Sequence, residues 1–558
     1  VRGQGGARRA REGVPGYMDG TAVRRALLLI IPPAAASIPF IVFLLSGSPG
    51  LPGSPAENPP VPGDSDVYEQ AWHFWWAGKA IREGSDPRVC PLIGLPPPHS
   101  LAGQNIGWPD ALLFGPLLGD RPADALFAAL MAGTALTFAA GFLFAGSWGL
   151  DGYGSMLAAL FITWAPARTA HLMQHYSIAC FGWAILSMAC ARLFLVRGRA
   201  ALLAASGMAL LIASMESAYH AMIGAAGIAA VAAASLNRPC RGRIPALAAV
   251  TAVALGASLL FYAAFPGRLP AVEASGESVY WSAEPLSYLL PSPFGLPAVL
   301  AGMQAGAFWM PNLFEGVVTP GFVVMMLAMA AVLRRPAGRC ADPMRRNAVT
   351  LALLSIVPFV LALGPRLKLF ATPTGIPLPY ALILKLPFLE GARSASRFAM
   401  LGAALLAVPA AYALRRLGRG AGTAVAVLAA VELIPPALPS VSGAVPSFYS
   451  IRGEGARILE IPASPTIRRY ALFMTADSRE RPVFFHARRA APLAPSLEPF
   501  MADSRRPVTD DQAEATGVDL IVYNRWMFEP DERDRLDALY SGIFDDPRGS
   551  DSVWVWRR

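Results

Sequence analysis

The stretch "PALAAVTAVALGASLLFYAAF" (residues 245–265) runs for 21 residues without a charged side chain. A helix needs about 20 apolar residues to cross the hydrocarbon core of a bilayer, so this run is long enough to span it. Three arginines, Arg238, Arg241 and Arg243, come directly before the run. Because arginine is enriched in cytoplasmic loops, the pattern predicts a transmembrane helix that starts on the cytoplasmic side.

Similar apolar runs recur along the whole chain. Of its 558 residues, 54% are hydrophobic and only 15% are charged, whereas soluble proteins carry about 25% charged residues. The runs predict a mostly α, polytopic helical membrane protein with about eleven transmembrane helices, near 26–47, 123–147, 153–165, 178–196, 200–215, 219–236, 245–265, 317–333, 348–364, 397–414 and 421–438.

Charge then sets the predicted orientation. Arginine-rich loops at 197–199, 238–243, 334–346 and 415–419 all become cytoplasmic if residues 1–25 form a cytoplasmic tail. The net charge of +9 is therefore a sign of topology, and no nucleic-acid partner is expected. The first run is interpreted as a signal anchor, and no function is assigned to the residues before Met18.

Two further regions complete the predicted organisation. Residues 26–438 form the transmembrane domain, which includes a first outer loop at 48–122. Residues 439–558 contain 16 arginines and 18 acidic residues, and short apolar runs such as "GARILEIP" and "VDLIVY" predict strands. We expect a small extracytoplasmic α/β domain here. The five cysteines are scattered and suggest neither a disulfide framework nor a metal knuckle.

The first outer loop carries a pair of acids beside a tryptophan-rich segment, "VPGDSDVYEQAWHFWWAGKAIREG" (61–84). Helical spacing of Trp72, Trp75 and Trp76 predicts an amphipathic helix over 66–83, lying along the membrane surface. Asp64 and Asp66 could cap this helix. Alternatively, one of the two carboxylates could deprotonate a hydroxyl group, if burial or the like charge of its neighbour raised its pKa.

Other polar residues are predicted on the same outer face. "APARTAHLMQH" contains Arg168, His171 and His175, and "EGARSASRF" contains Arg393 and Arg397. Arginine suits phosphate oxygens, but Arg393 and Arg397 could equally be interfacial anchors before a span. The two histidines would need further ligands to form a zinc site. Near the end of another span, "SMESAYHAM" places Glu216, Tyr219 and His220 at the membrane edge, where an acid is costly and suggests function.

The ordered segments "SDVYEQAWHFWW", "LPPPHSLAGQN", "WAPARTAHLMQH", "SYLLPSPFG", "FLEGARSASRF", "ARILEIP" and "ATGVDLIVYNR" resemble bacterial polytopic membrane glycosyltransferases of the GT-C class with a C-terminal extracytoplasmic domain. The chain has no Walker, HExxH or GxSxG motif, which removes the usual support for ATP-driven or protease chemistry.

This resemblance implies site residues by position. It makes Asp66 the general base with Asp64 second, and it assigns donor-phosphate binding to Arg393, Arg397, Arg168 and His171. Site-lining residues would be Glu216, Tyr219, His220, Gln104 and Asn105. Where relatives tend to carry a histidine or an acid, this chain has Gln104 and Asn105, which weakens the case for a metal or a second catalytic group there. No metal site is predicted, although a divalent metal is not excluded as a cofactor.

The implied activity is inverting transfer of a hexosyl or pentosyl group from a polyprenyl-phosphate-linked donor to a glycan, lipid or protein acceptor. It would take place on the outer side of the bacterial inner membrane, with the lipid bilayer as the other partner. A lipid or glycan translocator, or a membrane scaffold that retains the fold, is the alternative. A translocator would need ionisable residues within its spans, and few are found there.

Overall fold

The structure is a computed structural model of the whole chain. It describes residues 20–47, 50–55, 61, 63–93, 99–101, 106–265, 274–300, 313–334, 342–386, 389, 392–450, 456–464, 467–481, 511, 514, 517–541 and 553–557.

Helices dominate the described part of the chain, as the apolar runs predict. In chain order they are α1 (Gly20–Leu45), α2 (Asp66–Arg82), α3 (Trp108–Leu118), α4 (Pro122–Ser147), α5 (Gly152–Thr163), α6 (Pro166–Leu172), α7 (Tyr176–Ala179), α8 (Gly182–Arg197), α9 (Ala200–Glu216), α10 (Ala218–Ala233), α11 (Ile244–Ala263), α12 (Ala274–Tyr280), α13 (Leu296–Leu300), α14 (Leu313–Gly316), α15 (Phe322–Leu333), α16 (Pro343–Ala362), α17 (Tyr380–Ile383), α18 (Phe398–Arg415), α19 (Arg419–Leu433), α20 (Arg469–Asp477) and α21 (Pro530–Tyr540).

Five helical segments of the described chain are long and apolar enough to cross a membrane: Pro122–Ser147, Tyr176–Arg197, Pro239–Ala263, Pro343–Ala362 and Ala395–Arg415. Shorter apolar helices of 10–17 residues lie at each of the other six predicted spans. A helical membrane protein is therefore confirmed. The count of eleven spans and the predicted orientation stay predictions.

Strands are few and short in the described chain. They are β1 (Leu51–Pro52), β2 (Val89–Cys90), β3 (His99–Ser100), β4 (Arg366–Leu369), β5 (Thr372–Pro377), β6 (Ser440–Val441), β7 (Ile458–Ile461), β8 (Leu520–Asn524) and β9 (Val553–Arg557). β1 pairs with β6, β2 with β3, and β4 with β5, all antiparallel. The C-terminal region holds a three-stranded sheet in the order β7-β8-β9, with β7 and β8 parallel and β9 antiparallel.

This sheet packs with helices around its own apolar core. The strand residues Leu459, Ile521 and Val555 are buried there with Phe473 of α20 and Leu536 of α21. A small α/β layer requires strands with buried apolar side chains and helices that cover them. The predicted strands at "ARILEIP" and "VDLIVY" are thus found. The boundaries 1–25, 26–438 and 439–558 stay predictions.

The tryptophan side of helix α2 is covered by protein, so the prediction that it anchors the helix in lipid is wrong. Besides the tryptophan stripe, its polar residues Gln70 and His73 are buried too. The helix packs against α3, α4 and α20, and Trp72 donates through Nε1 to the sulfur of Met474 on α20. A helix that meets neighbours on several sides is buried all round, so a stripe of tryptophans does not identify a lipid-facing side.

Candidate functional site

Asp66 lies where the start of α2 meets two distant parts of the chain. It is the first residue of α2, whose N-cap is Ser65: the Ser65 hydroxyl accepts from Val67 N at 3.3 Å. Asp66 Oδ2 lies 2.9 Å from His175 Nε2, and its Oδ1 lies 2.6 Å from Arg468 Nε. The carboxylate is therefore held between an imidazole and a guanidinium.

These neighbours decide the protonation of Asp66. Burial raises the pKa of the carboxyl group, but the positive charge of Arg468 and the hydrogen bond with His175 more than offset it. The pKa consequently lies well below the ordinary value for aspartate. This direction is opposite to the one expected from repulsion by Asp64, because the charge of Arg468 and the hydrogen bond with His175 outweigh that repulsion. Asp66 is an ionised carboxylate at neutral pH.

Glu315 connects a second set of buried groups. It lies on α14, just before the apolar helix α15, and is 3% exposed. Its Oε1 accepts from Arg397 Nε at 2.9 Å and Nη2 at 2.6 Å, and its other oxygen accepts from the Ser396 hydroxyl. His171 Nε2 lies 3.7 Å from Glu315 Oε2. Burial raises the pKa of Glu315, but Arg397 and His171 lower it to about 2 overall.

The side chains of His171, His175 and Glu315 could hold a divalent metal ion. One donor atom from each lies within 4.8 Å of the other two. The Nδ1 atoms of both histidines are buried without a hydrogen-bond partner in the described structure. Burial lowers the pKa of His171 to about 3, which keeps its imidazole neutral and able to ligate. Two imidazoles and a carboxylate match the donor set of zinc-type sites, so the residues fit such an ion. The sequence offered the two histidines; the structure adds Glu315.

Asp64 is turned away from this cluster. Its carboxylate accepts from the backbone N–H of Arg468 at 3.1 Å and of Arg469 at 2.8 Å, at the start of α20. It therefore caps a helix of the C-terminal region, where a negative charge also complements the helix dipole. Burial raises the pKa of Asp64 to about 6, although these backbone hydrogen bonds and Arg468 oppose the change.

The Asp64 geometry predicts a pH-dependent stability. The folded protein binds the Asp64 proton more tightly than the unfolded chain, whose pKa is near 3.8. The free energy of unfolding should therefore fall as pH rises from about 4 through 6, by roughly 3 kcal/mol at most. Asp64→Asn keeps a capping oxygen and removes the charge, so the melting temperature should lose this pH dependence and should not fall at pH 7.

Asp519→Asn provides the matched control, because Asp519 is exposed and also accepts from a backbone N–H, that of Arg457 at 2.8 Å. Its melting curve should follow the unmodified protein between pH 4 and 7. An Asp64→Asn variant with the same pH dependence as the unmodified protein would contradict the burial effect.

The predicted donor-phosphate residues occupy different environments. Arg168 is 1% exposed and donates to Ala179 O, Thr163 O and Thr134 Oγ1 at 2.8, 2.6 and 2.9 Å. Arg393 is 29% exposed, with Nη1 2.7 Å from Glu277. His171 and Arg397 share Glu315, as described above. The structure thus brings His171 and Arg397 together, leaves Arg393 accessible and surrounds Arg168 with protein acceptors.

Among the predicted site-lining residues, Tyr219 lies against this cluster. Its ring centre is 4.3 Å from the Arg397 guanidinium, and its hydroxyl accepts from Ser394 N at 2.9 Å. His220 bonds through Nε2 to Ile178 O at 2.9 Å. Glu216 is buried beside Gly107, at the start of α3, and no contact with Asp66 or Glu315 is found in the described residues. Gln104 and Asn105 lie outside the described residues.

Two central residues were missed from the sequence. Glu315 had a usable signal, since it is the only acid between Glu284 and Asp342 and comes directly before an apolar run. Arg468 had none, because it is one of 16 arginines in residues 439–558. Only the packing of α20 against α2 distinguishes it.

Comparison with solved structures gives matches over nearly the whole chain. The cryo-EM structure of arabinofuranosyltransferase AftD from Mycobacteria has a TM-score of 0.58 and 14% sequence identity, covering 94% of this chain and 40% of AftD. A mutant form of AftD gives 0.55 and 15%, covering 96% of this chain and 41% of AftD. Oligosaccharyltransferase AglB from Archaeoglobus fulgidus gives a TM-score of 0.43 at 14% identity, covering 90% of this chain and 70% of AglB.

No protein-family model and no curated protein matches the chain. The chain spans about two fifths of the length of AftD. At 14–15% identity, the similarity to AftD establishes the fold. The predicted resemblance is confirmed at that level: the chain has the fold of GT-C-type membrane glycosyltransferases.

Proposed function

We propose that the protein transfers a sugar from a polyprenyl-phosphate-linked donor to an acceptor hydroxyl, with Asp66 as the proton acceptor. The observation that carries this proposal is the position of the Asp66 carboxylate, which is held between Arg468 and His175 in a helical membrane protein with the GT-C fold. General-base catalysis requires an unprotonated group within reach of the acceptor.

The proposed reaction is an inverting displacement at the anomeric carbon. The acceptor oxygen forms a bond to that carbon as the bond between the carbon and the phosphate oxygen breaks. The hydroxyl proton passes to Asp66, and polyprenyl phosphate leaves with the bonding electrons. Arg393 is the residue that we assign to the leaving phosphate, because its guanidinium is accessible and its charge acts on Asp66 across the site.

Arg397 and Arg168 receive structural roles in this proposal. Arg397 is 9% exposed and already paired with Glu315. Each nitrogen of Arg168 donates to a protein acceptor. Binding a phosphate through either guanidinium would require these buried contacts to break, which is costly.

An apolar cleft supports a lipid-linked donor. It has a volume of about 300 Å³ and is lined by residues of α15 and α16 and by Leu406 of α18. Tyr288 and Pro320 also line it, and Pro320 is five residues after Glu315. An isoprenoid chain in this cleft would have its phosphate near the polar cluster, as transfer from a lipid carrier requires.

A divalent ion held by His171, His175 and Glu315 would supply positive charge near the Asp66 carboxylate, which His175 also contacts. The residues themselves do the remaining work. His175 holds one oxygen of Asp66, and Arg397 fixes the Glu315 carboxylate through two nitrogen atoms.

A transfer assay tests the proposal. Purified protein is incubated with polyprenyl-phosphate pentoses and hexoses and a mixture of envelope glycans, and release of polyprenyl phosphate is measured. We expect release that depends on the acceptor. If the labelled donor instead crosses the bilayer of vesicles containing the protein and is not cleaved, the result would support a translocator and contradict the transferase.

Replacing Arg393 tests the assigned phosphate contact. A hydrogen bond to a charged group contributes about 1.5–3 kcal/mol, so Arg393→Gln should weaken donor binding by about tenfold or more. Binding of a fluorescent polyprenyl phosphate measures the effect. Arg82→Gln is the matched control, since Arg82 is a comparable half-exposed arginine paired with an acid, Asp120, at 2.7 Å. Equal affinities in the two variants would return Arg393 to the role of an interfacial anchor.

A further inference from the structure

The start of α20 brings a cation of the C-terminal region into the centre of the site. Arg468 Nε lies 2.6 Å from Asp66 Oδ1 and 3.7 Å from Glu69 Oε2. The Arg468 side chain is 24% exposed and that of Asp66 is 16% exposed. Because the pair is largely shielded from water, its attraction is less screened than that of an ordinary surface ion pair.

The backbone of Arg468 is fixed relative to α2. Asp64, two residues before Asp66, accepts from the N–H groups of Arg468 and Arg469. The Arg469 guanidinium lies 4.6 Å from the ring centre of Trp526 and 5.6 Å from that of Tyr68. Arg469 therefore joins α20 to Tyr68 of α2, and Arg468 reaches Asp66.

We propose that Arg468 is a positioning residue, through which the C-terminal domain orients the Asp66 carboxylate for proton transfer. This inference rests on the proposed function. With Arg468 at Oδ1 and His175 at Oδ2, both oxygens of the carboxylate have a fixed neighbour. Rotation of the carboxylate about the Cβ–Cγ bond is then restricted. The lone pairs that would accept the proton therefore keep a defined direction.

Donor binding is a poor alternative role for Arg468. In an inverting displacement, the proton acceptor and the leaving phosphate lie on opposite sides of the anomeric carbon. A guanidinium in contact with Asp66 is consequently on the acceptor side. Loss of Arg468 should therefore lower kcat and leave the KM for the donor nearly unchanged, because misplacement of a reacting group by about 1 Å can cost on the order of a hundredfold in rate.

The test compares Arg468→Met, Arg468→Lys and Arg469→Met in the full-length protein, using the transfer assay and the melting temperature. We expect Arg468→Met to lower kcat by about tenfold to a hundredfold with the donor KM within about twofold. Arg468→Lys keeps the charge and should recover most of the rate. Arg469→Met loses contacts at the same seam without touching Asp66, so it should lower the melting temperature and leave kcat within about threefold.

Each other outcome has a defined meaning. Equal losses of kcat in Arg468→Met and Arg469→Met would show that Arg468 only docks the domain, and would overturn the inference. A higher donor KM with unchanged kcat would make Arg468 a donor-binding residue and would also overturn it. Normal kinetics in Arg468→Met, beside an active unmodified protein, contradict the inference alone. Failure of the unmodified protein to cleave any lipid-linked donor contradicts the proposed function itself.

Discussion

Asp66→Asn should lose sugar transfer by about 10²–10⁴-fold while the protein remains folded. The amide cannot accept the acceptor's proton, so the displacement would have no base. Folding should survive because the N-cap of α2 is Ser65 and because Arg468 keeps a second acidic neighbour, Glu69 at 3.7 Å. Transfer from a lipid-linked donor, measured beside the melting temperature, gives the result.

Asp64→Asn is the matched control for this prediction, since it makes the same chemical change two residues away. Asp64 faces the backbone of Arg468 and Arg469, and its variant should keep transfer within about threefold. Full activity of Asp66→Asn with a normal melting temperature would leave the proposed mechanism without its base. A similar loss in both variants would mean that the packing of α2 against α20 matters more than the chemistry of either acid.

The helical architecture was predictable because its signal is local. Each predicted span has an apolar helix in the described structure, and the arginine-rich connections separate them. Burial of α2 was not predictable in the same way. Its tryptophan stripe looks alike whether lipid or protein covers it, and the covering helix α20 lies about 400 residues later in the chain.

The candidate site shows the same division between local and long-range information. Asp66 and His171 were identified from their segments, but the partners that set their chemistry come from α14 and α20. Arg393 and Arg397 are four residues apart in one segment and look equivalent in sequence. Packing separates them, since Arg397 is buried against Glu315 and Arg393 is accessible beside Glu277.

The different burial of Arg393 and Arg397 predicts a large difference in stability between variants of their acidic partners. Glu315→Gln removes the charge that balances Arg397, leaving a guanidinium that is 9% exposed without its counter-ion. Breaking a buried ion pair in this way costs about 3–5 kcal/mol of unfolding free energy. The pair between Arg393 and Glu277 has nearly the same separation, 2.7 Å against 2.6 Å, but its side chains are 29% and 51% exposed. Glu277→Gln should therefore cost less than about 1 kcal/mol.

A double-mutant cycle locates the origin of this cost. If the cost comes from the uncompensated charge, Arg397→Met should cost about as much as Glu315→Gln. The double variant that combines Arg397→Met with Glu315→Gln should then be more stable than either single variant. Denaturant unfolding of the detergent-solubilised variants measures the free energies. Equal losses of unfolding free energy in Glu315→Gln and Glu277→Gln would contradict the role of burial. Strictly additive losses in the cycle would mean that Glu315 and Arg397 stabilise the fold independently. Because Glu315 also contacts His171 and Ser396, Glu315→Gln should disturb the polar cluster next to Asp66 as well. Transfer should therefore decline together with stability in the Glu315 variants.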